Sequence, residues 1–457
     1  MTDRVCIHGH YYQPDRTNPR TGAVDRQPSA APFRDWNERV TAECYAPNAL
    51  AGNYERTSFD FGPTLLAWLE REAPETYAQV LAADRAGRER FDGHGPAITQ
   101  NWAHSILPLD SERDRRTQVR WGVSDFRHRF GRDPEGMWLA ETAVDVPTLE
   151  TLAAAGIGFT VLAPHQVPAG PGAYRCPLPS GREIALFAYD GAIAGEVAFG
   201  DLLADGERMA ARLLAAGPGR FVHVATDGET FGHHHRDGEL ALARCLDRVE
   251  AAGSRLTVYG RELADHPPRE AGAVVERSSW SCVHGVERWR RGCGCSTGLN
   301  PGWQQDWRAP LRAAVEWLRD AIAPAFGQRL DPLLGDPWAA RDDYIEVILD
   351  PASVGGFLAR HAGRPLVAAD RELVIGLLEM QRWALLAFAS CGWFFDDISE
   401  LTAVQVMRCA GRAVELCRAH LGIELEEGLT DILHNARSNV AALGTGADIY
   451  RRVRAGP

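Results

Sequence analysis

The sequence lacks any stretch near the roughly 18–20 continuous apolar residues that a bilayer-spanning helix needs. It also has no run of basic residues, no internal repeat and no low-complexity tract. The first absence argues against a helical membrane protein. The second, with a formal net charge of −12, argues against nucleic acid as the main partner. The opening residues, Met1-Thr2-Asp3-Arg4-Val5-Cys6-Ile7-His8, run straight into a strand-like segment with no apolar core or cleavage site, so no secretory leader is expected. Ten scattered cysteines in 457 residues do not read as a disulfide framework, and a reduced, cytoplasmic protein is expected. What is present is an ordinary globular composition, 45% hydrophobic and 24% charged, long enough for two or three domains. The 13 tryptophans are numerous; their faces stack on sugar rings as readily as they fill cores.

Up to about residue 265, short apolar runs alternate with longer amphipathic ones. Strands are predicted at 5–8, 136–140, 159–163, 184–189, 221–225 and 256–259, and helices at 62–81, 111–130, 147–155, 207–215 and 239–251. Near-continuous apolar strands separated by helices indicate a mostly parallel sheet buried on both faces. No phosphate-binding glycine turn follows the first strand, and the length favours an α/β barrel, an incomplete one included, over an open doubly wound sheet. A break follows at His266-Pro267-Pro268, then a Trp/Cys/Gly-rich junction over 266–310. From 311 to 457 the pattern is helical, with segments at 311–322, 368–388, 398–419 and 429–443 and a capping-box start at Asp397/Glu400. The expected architecture is an α/β catalytic barrel over 1–265 followed by a C-terminal α-helical domain.

Active sites in such barrels sit at the carboxyl ends of the strands. Four candidate strand ends carry polar residues: His8-Gly9-His10-Tyr11-Tyr12-Gln13-Pro14; Asp92-Gly93-His94-Gly95, shortly before Asn101-Trp102-Ala103-His104; Gly136-Met137-Trp138-Leu139-Ala140-Glu141; and Thr226-Asp227-Gly228-Glu229-Thr230-Phe231-Gly232-His233-His234-His235. Taken singly, each acid also reads as a helix cap or turn residue, and each histidine as a hydrogen-bonded structural group. Their convergence on the strand ends of one sheet favours catalysis. Two carboxyl groups from different strands are what a retaining glycosidase needs, one to attack the anomeric carbon and one to protonate the leaving oxygen. Trp138 or Trp102 would then wall a sugar subsite.

These motifs resemble glycoside hydrolase family 57, whose amylases, glucanotransferases and branching enzymes share an incomplete (β/α)7 barrel. The His8–Pro14 stretch looks like the family's first motif, and Asn101–Leu109 is similar to its second. The run ending in Glu141 looks like the third, whose final Glu is the nucleophile. The run containing Asp227 looks like the fourth, whose Asp is the general acid/base. Ser390-Cys391-Gly392-Trp393-Phe394-Phe395-Asp396 is placed like the fifth. The resemblance implies an α-glucan substrate, no cofactor, and His10, His104, Glu229, Trp393 and Asp396 around it. His8, His94, Trp138, Trp280 and Trp289 are the further substrate-binding candidates. Two departures bear on substrate choice. Tyr11-Tyr12 separates His10 from Gln13-Pro14, and Cys391-Gly392 stands where amylase-like members carry Ser-Asp. The segment from Ser279 onward resembles an uncharacterised domain of one branch of the family.

Two other classes compete. A zinc-dependent hydrolase would use His8, His10, Asp92, His94 and His233–His235, residues of the right ligand types. A glycan-binding protein with an inactive barrel is the other, though both carboxylates are kept. Cys282, His284, Cys293 and Cys295 have Cys-x-His and Cys-x-Cys spacings tighter than the common Cys-x2-Cys knuckle. A structural zinc is an alternative there, but a glycine-rich junction with buried free thiols and no metal is favoured, its tryptophans walling a glycan cleft.

Overall fold

A computed structural model describes residues 2–215, 217 and 219–455. The chain separates into two compact units that are not contiguous in sequence. The first contains the stretches 1–13, 25–102 and 126–276; the second contains 14–24, 103–125 and everything from 277 onward.

The first unit is built on nine strands: β1 (Arg4–Tyr11), β2 (Ser58–Phe61), β3 (Ala97–Gln100), β4 (Gly136–Trp138), β5 (Phe159–Leu162), β6 (Gly172–Pro177), β7 (Glu183–Ala188), β8 (Phe221–Asp227) and the two-residue β9 (Arg255–Leu256). They run in the order β6-β7-β5-β4-β3-β2-β1-β8, with β9 beside the start of β1. Every pairing along this path is parallel except β6 with β7. The seven parallel strands and the helices between them form an incomplete (β/α)7 barrel. Among the described residues no ladder joins β7 to β8, although Asp190 N–H donates to the carbonyl of His223 at 2.9 Å.

The parallel strands are buried on both faces, so their sequences are apolar without alternation. β5 and β7 show this, with only Glu183 exposed among their ten residues. β2 and β3 escape prediction because each has four residues and carries buried polar groups, Ser58 and Asp60 in one and Thr99 and Gln100 in the other. The helix expected over 62–81 is two, Pro63–Glu72 and Pro74–Arg90, broken at Ala73 because Pro74 brings no N–H and disfavours helical geometry before it. The strand expected at 256–259 becomes β9 and then the helix Tyr259–Asp265.

The second unit is helical, its longest elements being Arg308–Leu330, Ala368–Leu386 and Leu401–Leu421. The helix expected at 429–443 is Glu426–Leu433, which stops before a turn closed by the Arg437–Thr445 bridge. Asp397 does not cap the helix that begins at Leu401. Its carboxylate accepts instead from Ser399 N–H at 2.9 Å, Ser438 Oγ at 2.8 Å and Asn439 N–H at 2.6 Å.

Candidate active site

Because the strands are parallel, their carboxyl ends share one edge, and the register decides which side chains meet there. His10 of β1 lies opposite Asp60 of β2 on one side and Asp227 of β8 on the other. Side chains alternate along a strand, so His8 and His10 project to one face with Ser58 and Asp60. Asp60 is the hub. Its Oδ1 meets His8 Nε2 at 2.8 Å and its Oδ2 meets His10 Nδ1 at 2.9 Å, while Gln100 Nε2 donates to Oδ2 as well. His8 Nδ1 faces Ser58 Oγ at 2.9 Å. Burial lowers the pKa of His8 against the pull of Asp60. His10 behaves oppositely: burial works against its charge, but Asp60, Asp227 and Glu229 outweigh it and raise its pKa to about 9. Burial likewise opposes the charge on Asp60, and the two histidines overcome it, holding the carboxyl below its ordinary value. The edge therefore carries a neutral His8, an anionic Asp60 and a cationic His10.

Glu141 follows β4 in a single tight turn, Ala140–Thr142, and has φ 56° and ψ 23°; Thr142 has φ 50°. Two successive non-glycine residues in the left-handed region, one of them β-branched, cost on the order of 1–3 kcal/mol each. Gln166, fully buried after β5, holds them. Its Oε1 accepts from Thr142 Oγ1 at 2.7 Å and from Ala163 N–H at 2.9 Å, and its Nε2 donates to Thr142 O at 2.8 Å. The turn lifts Glu141 off the end of the strand instead of letting it continue into the following helix, Val146–Ala154, which is capped separately by Asp145.

Asp227 ends β8 with its side chain open to solvent. Its carboxyl is pushed up to about 7, by crowding of protein around it and by the negative charges of Glu229, Glu141 and Asp60, against the attraction of His10. Since the group still touches water, screening limits how much of that shift is stored as energy. Glu229 is buried, which raises its pKa against the hydrogen bonds it accepts from Tyr45 Oη at 2.6 Å and Tyr12 N–H at 3.3 Å. One edge thus holds an acid that keeps its proton near neutral pH, a cation beside it and a second carboxylate on a strained turn.

Residues 92–274 match the model of glycosyl hydrolase family 57. This stretch is similar to the glycosyl hydrolases of family 57. Residues 303–455 match a domain of unknown function. Alpha-amylase 1 of Dictyoglomus thermophilum is 28% identical over 102 residues, 22% of this chain; the chain covers 14% of that protein's length. The fold is similar to that of an exo-type maltose-forming amylase from a Pyrococcus species, with a TM-score of 0.75 and 16% identity over 94% of this chain and 82% of the other. It is also similar to a branching enzyme from Pyrococcus horikoshii, with a TM-score of 0.61 and 15% identity over 99% and 94%. An α-amylase from Thermotoga maritima gives 0.58 and 16% over 99% and 100%.

Within residues 92–274, two expected substrate contacts lie elsewhere. His94 and Asp92 precede β3, at the amino edge of the sheet. His94 Nδ1 pairs there with Glu135 at 2.6 Å and Asp92 with Arg261. A 470 Å³ hollow opens at that edge, lined partly by Asp92, Arg255 and Arg261, away from the carboxylates. Trp138 is 0% exposed, lying under the histidines with ring centroids 4.9 Å from His8 and 5.0 Å from His10, so it supports them and presents no face to a sugar. Trp102 is buried as well. The zinc set of the rival reading does not assemble: Asp92 and His94 sit at the opposite edge from His8 and His10, His233 pairs with Glu43, and His235 binds the carbonyl of Ala198.

The remaining candidates belong to the second unit. His104 is buried, its Nδ1 2.7 Å from Ser390 Oγ, which ties the second and fifth motifs together. Trp289 and Trp393 are at most 1% exposed, and Trp393 Nε1 donates to Arg308 O at 3.1 Å; both are packing residues, not sugar platforms. Asp396 is equally enclosed, taking Thr297 N–H at 2.8 Å and Thr297 Oγ1 at 2.5 Å. Trp280 alone among the three tryptophans is half-exposed.

The sequence reading missed Asp60, Gln100, Tyr45 and Gln166. The signal for Asp60 was a lone acid between two phenylalanines, Phe59 and Phe61, in a strand too short to stand out. Gln166 left none, because it acts through backbone it meets only in space.

Proposed function

We propose that the chain is a retaining glycoside hydrolase or transglycosylase acting on α-linked glucan, with Glu141 as nucleophile and Asp227 as general acid/base. The observation that carries this is the meeting of the two carboxyls at one edge: the Asp227 carboxyl is raised to about 7 by its crowded surroundings and by like charges, Glu141 among them, against cationic His10, and Glu141 is carried there on its strained turn. In the first step the Glu141 carboxylate attacks the anomeric carbon as Asp227 gives its proton to the departing glycosidic oxygen. Loss of that proton leaves Asp227 a base, which then takes a proton from water or from an acceptor sugar hydroxyl as it attacks the glycosyl-enzyme ester. His10 stays protonated through both steps and offers its positive charge to sugar oxygens; Asp60 and Trp138 fix its ring. The family 57 match and the amylase and branching-enzyme folds support α-glucan as the substrate. A cytoplasmic setting accords with ten free thiols.

The test is product analysis on maltooligosaccharides with Glu141→Gln and Asp227→Asn. Both should lose turnover of natural substrates. Only Asp227→Asn should still form the glycosyl-enzyme from an aryl glucoside, whose leaving group needs no proton, and azide should restore its release. Wild-type rates in either variant, or the same residual pattern in both, would defeat the assignment.

A further inference from the structure

The long segment between the two family-model matches, which end at residue 274 and begin at 303, contains almost no regular structure beyond the single turn Glu287–Trp289. Loops of this length inside a compact unit need something other than backbone ladders to hold them. Four side chains converge within it: Cys282, His284, Cys293 and Cys295, whose ligand atoms all lie within 4.8 Å of one another.

We infer that these four residues form a structural zinc site of Cys3His type. The distances test it directly. A tetrahedral zinc with sulfur at about 2.3 Å and nitrogen at about 2.0–2.1 Å has edges of about 3.8 Å between sulfurs and about 3.6 Å between sulfur and nitrogen. Cys282 Sγ is 3.8 Å from Cys293 Sγ and 3.7 Å from Cys295 Sγ, and Cys295 Sγ is 3.5 Å from His284 Nδ1. A disulfide would bring one pair to about 2.05 Å, and all ten cysteines are free. An iron–sulfur cluster would spread its ligands around a multi-iron core. The tight sequence spacing, which argued against a metal, is accommodated locally. Residues two apart in extended chain sit roughly 6.6 Å apart, but Gly294 turns the backbone with φ 86°, and the Cys293 and Cys295 sulfurs come within 4.8 Å of each other.

The surroundings suit bound thiolates. Three thiolates, an imidazole and Zn²⁺ carry one net negative charge, and two buried guanidinium groups stand beside them. Arg308 Nη1 donates to Cys295 O at 2.7 Å and Arg288 Nη1 to Ser281 O at 3.2 Å. With four protein ligands the site is closed, so its role is to cross-link the 282–284 arm to the 293–295 arm. Two residues beyond Cys295, Thr297 binds Asp396, so the metal fixes the arm that reaches the fifth motif. Binding releases the protons of the three thiols as zinc enters.

Full-length protein, purified without a metal-affinity tag from zinc-supplied cells, should contain about one zinc per chain by mass spectrometry. Cys293→Ser/Cys295→Ser should lose it. His284 is exposed, so His284→Ala should keep the wild-type circular dichroism while giving up zinc to a chromophoric chelator about tenfold faster or more. Cobalt in place of zinc should show thiolate-to-metal charge transfer with tetrahedral ligand-field bands. Metal-free protein with an unchanged melting curve, iron in place of zinc, undiminished zinc in both variants, or an octahedral cobalt spectrum would each overturn the inference.

Discussion

The carboxyl edge of the sheet and the Cys/Trp loop of the second unit both concentrate polar side chains, yet they hold them in opposite ways. At the edge, the register of a parallel sheet places His10, Asp60 and Asp227 side by side, and the groups answer one another's charge. In the loop no ladder exists, and the groups gather only because side chains, and by our inference a metal, tie backbone that would otherwise wander. One region depends on strand register set by buried apolar residues; the other depends on a few local cross-links. On our proposal the chemistry is built on the edge, where a fixed separation between carboxyls matters most.

Changes that break the edge should have the largest effects. Glu141→Gln and Asp227→Asn are expected to lower kcat on maltooligosaccharides by about 10⁴-fold or more, read by product release under saturating substrate. Asp227→Asn should at the same time raise Tm above neutral pH. The raised carboxyl binds a proton more tightly in the folded than in the unfolded chain, so its contribution is full below about 4 and is lost as pH rises through about 7. The amide never acquires that charge. For the same reason kcat/KM should fall as pH rises through about 7, while His10 keeps its proton until about 9. A profile flat across that range would separate Asp227 from proton donation.

Next in size, Asp60→Ala leaves two buried histidines without their shared partner and should cost about 3–5 kcal/mol in denaturant unfolding. Gln166→Ala frees the strained Glu141–Thr142 turn and strands buried polar groups, for about 1–3 kcal/mol; unlike a purely structural lesion, it should reduce kcat much more than it changes KM. In the loop, Thr297→Ala removes the hydroxyl bond to Asp396 while keeping the backbone N–H bond, and should lower stability by about 1 kcal/mol with little change in the pH profile. The smallest effect belongs to His94→Ala, which loses a half-exposed hydrogen bond to Glu135 at the amino edge and should change stability by less than about 1 kcal/mol and turnover not at all.

Much of the fold was legible in the chain. Largely apolar or longer strands such as β5, β7 and β8 and the amphipathic helices near them announce themselves by composition and periodicity, and the tight runs ending in Glu141 and containing Asp227 marked the candidate pair. The tryptophans misled, because burial and sugar stacking demand the same large apolar face. Trp138, Trp289 and Trp393 satisfy the first demand completely. His94 misled because a polar residue near a strand does not reveal which end of the strand it occupies.

By itself, then, the sequence determined which residues could be strands, which could be helices and which carboxylates stood after a strand, since all of these follow from local composition. Tertiary structure alone decided that Asp60 unites His8 and His10, that Gln166 holds the turn of Glu141, and that four residues spaced too tightly for a familiar knuckle meet at tetrahedral distances. Those facts depend on register between sequence-distant strands and on the backbone path through a single glycine, and neither is written in the spacing of the residues concerned.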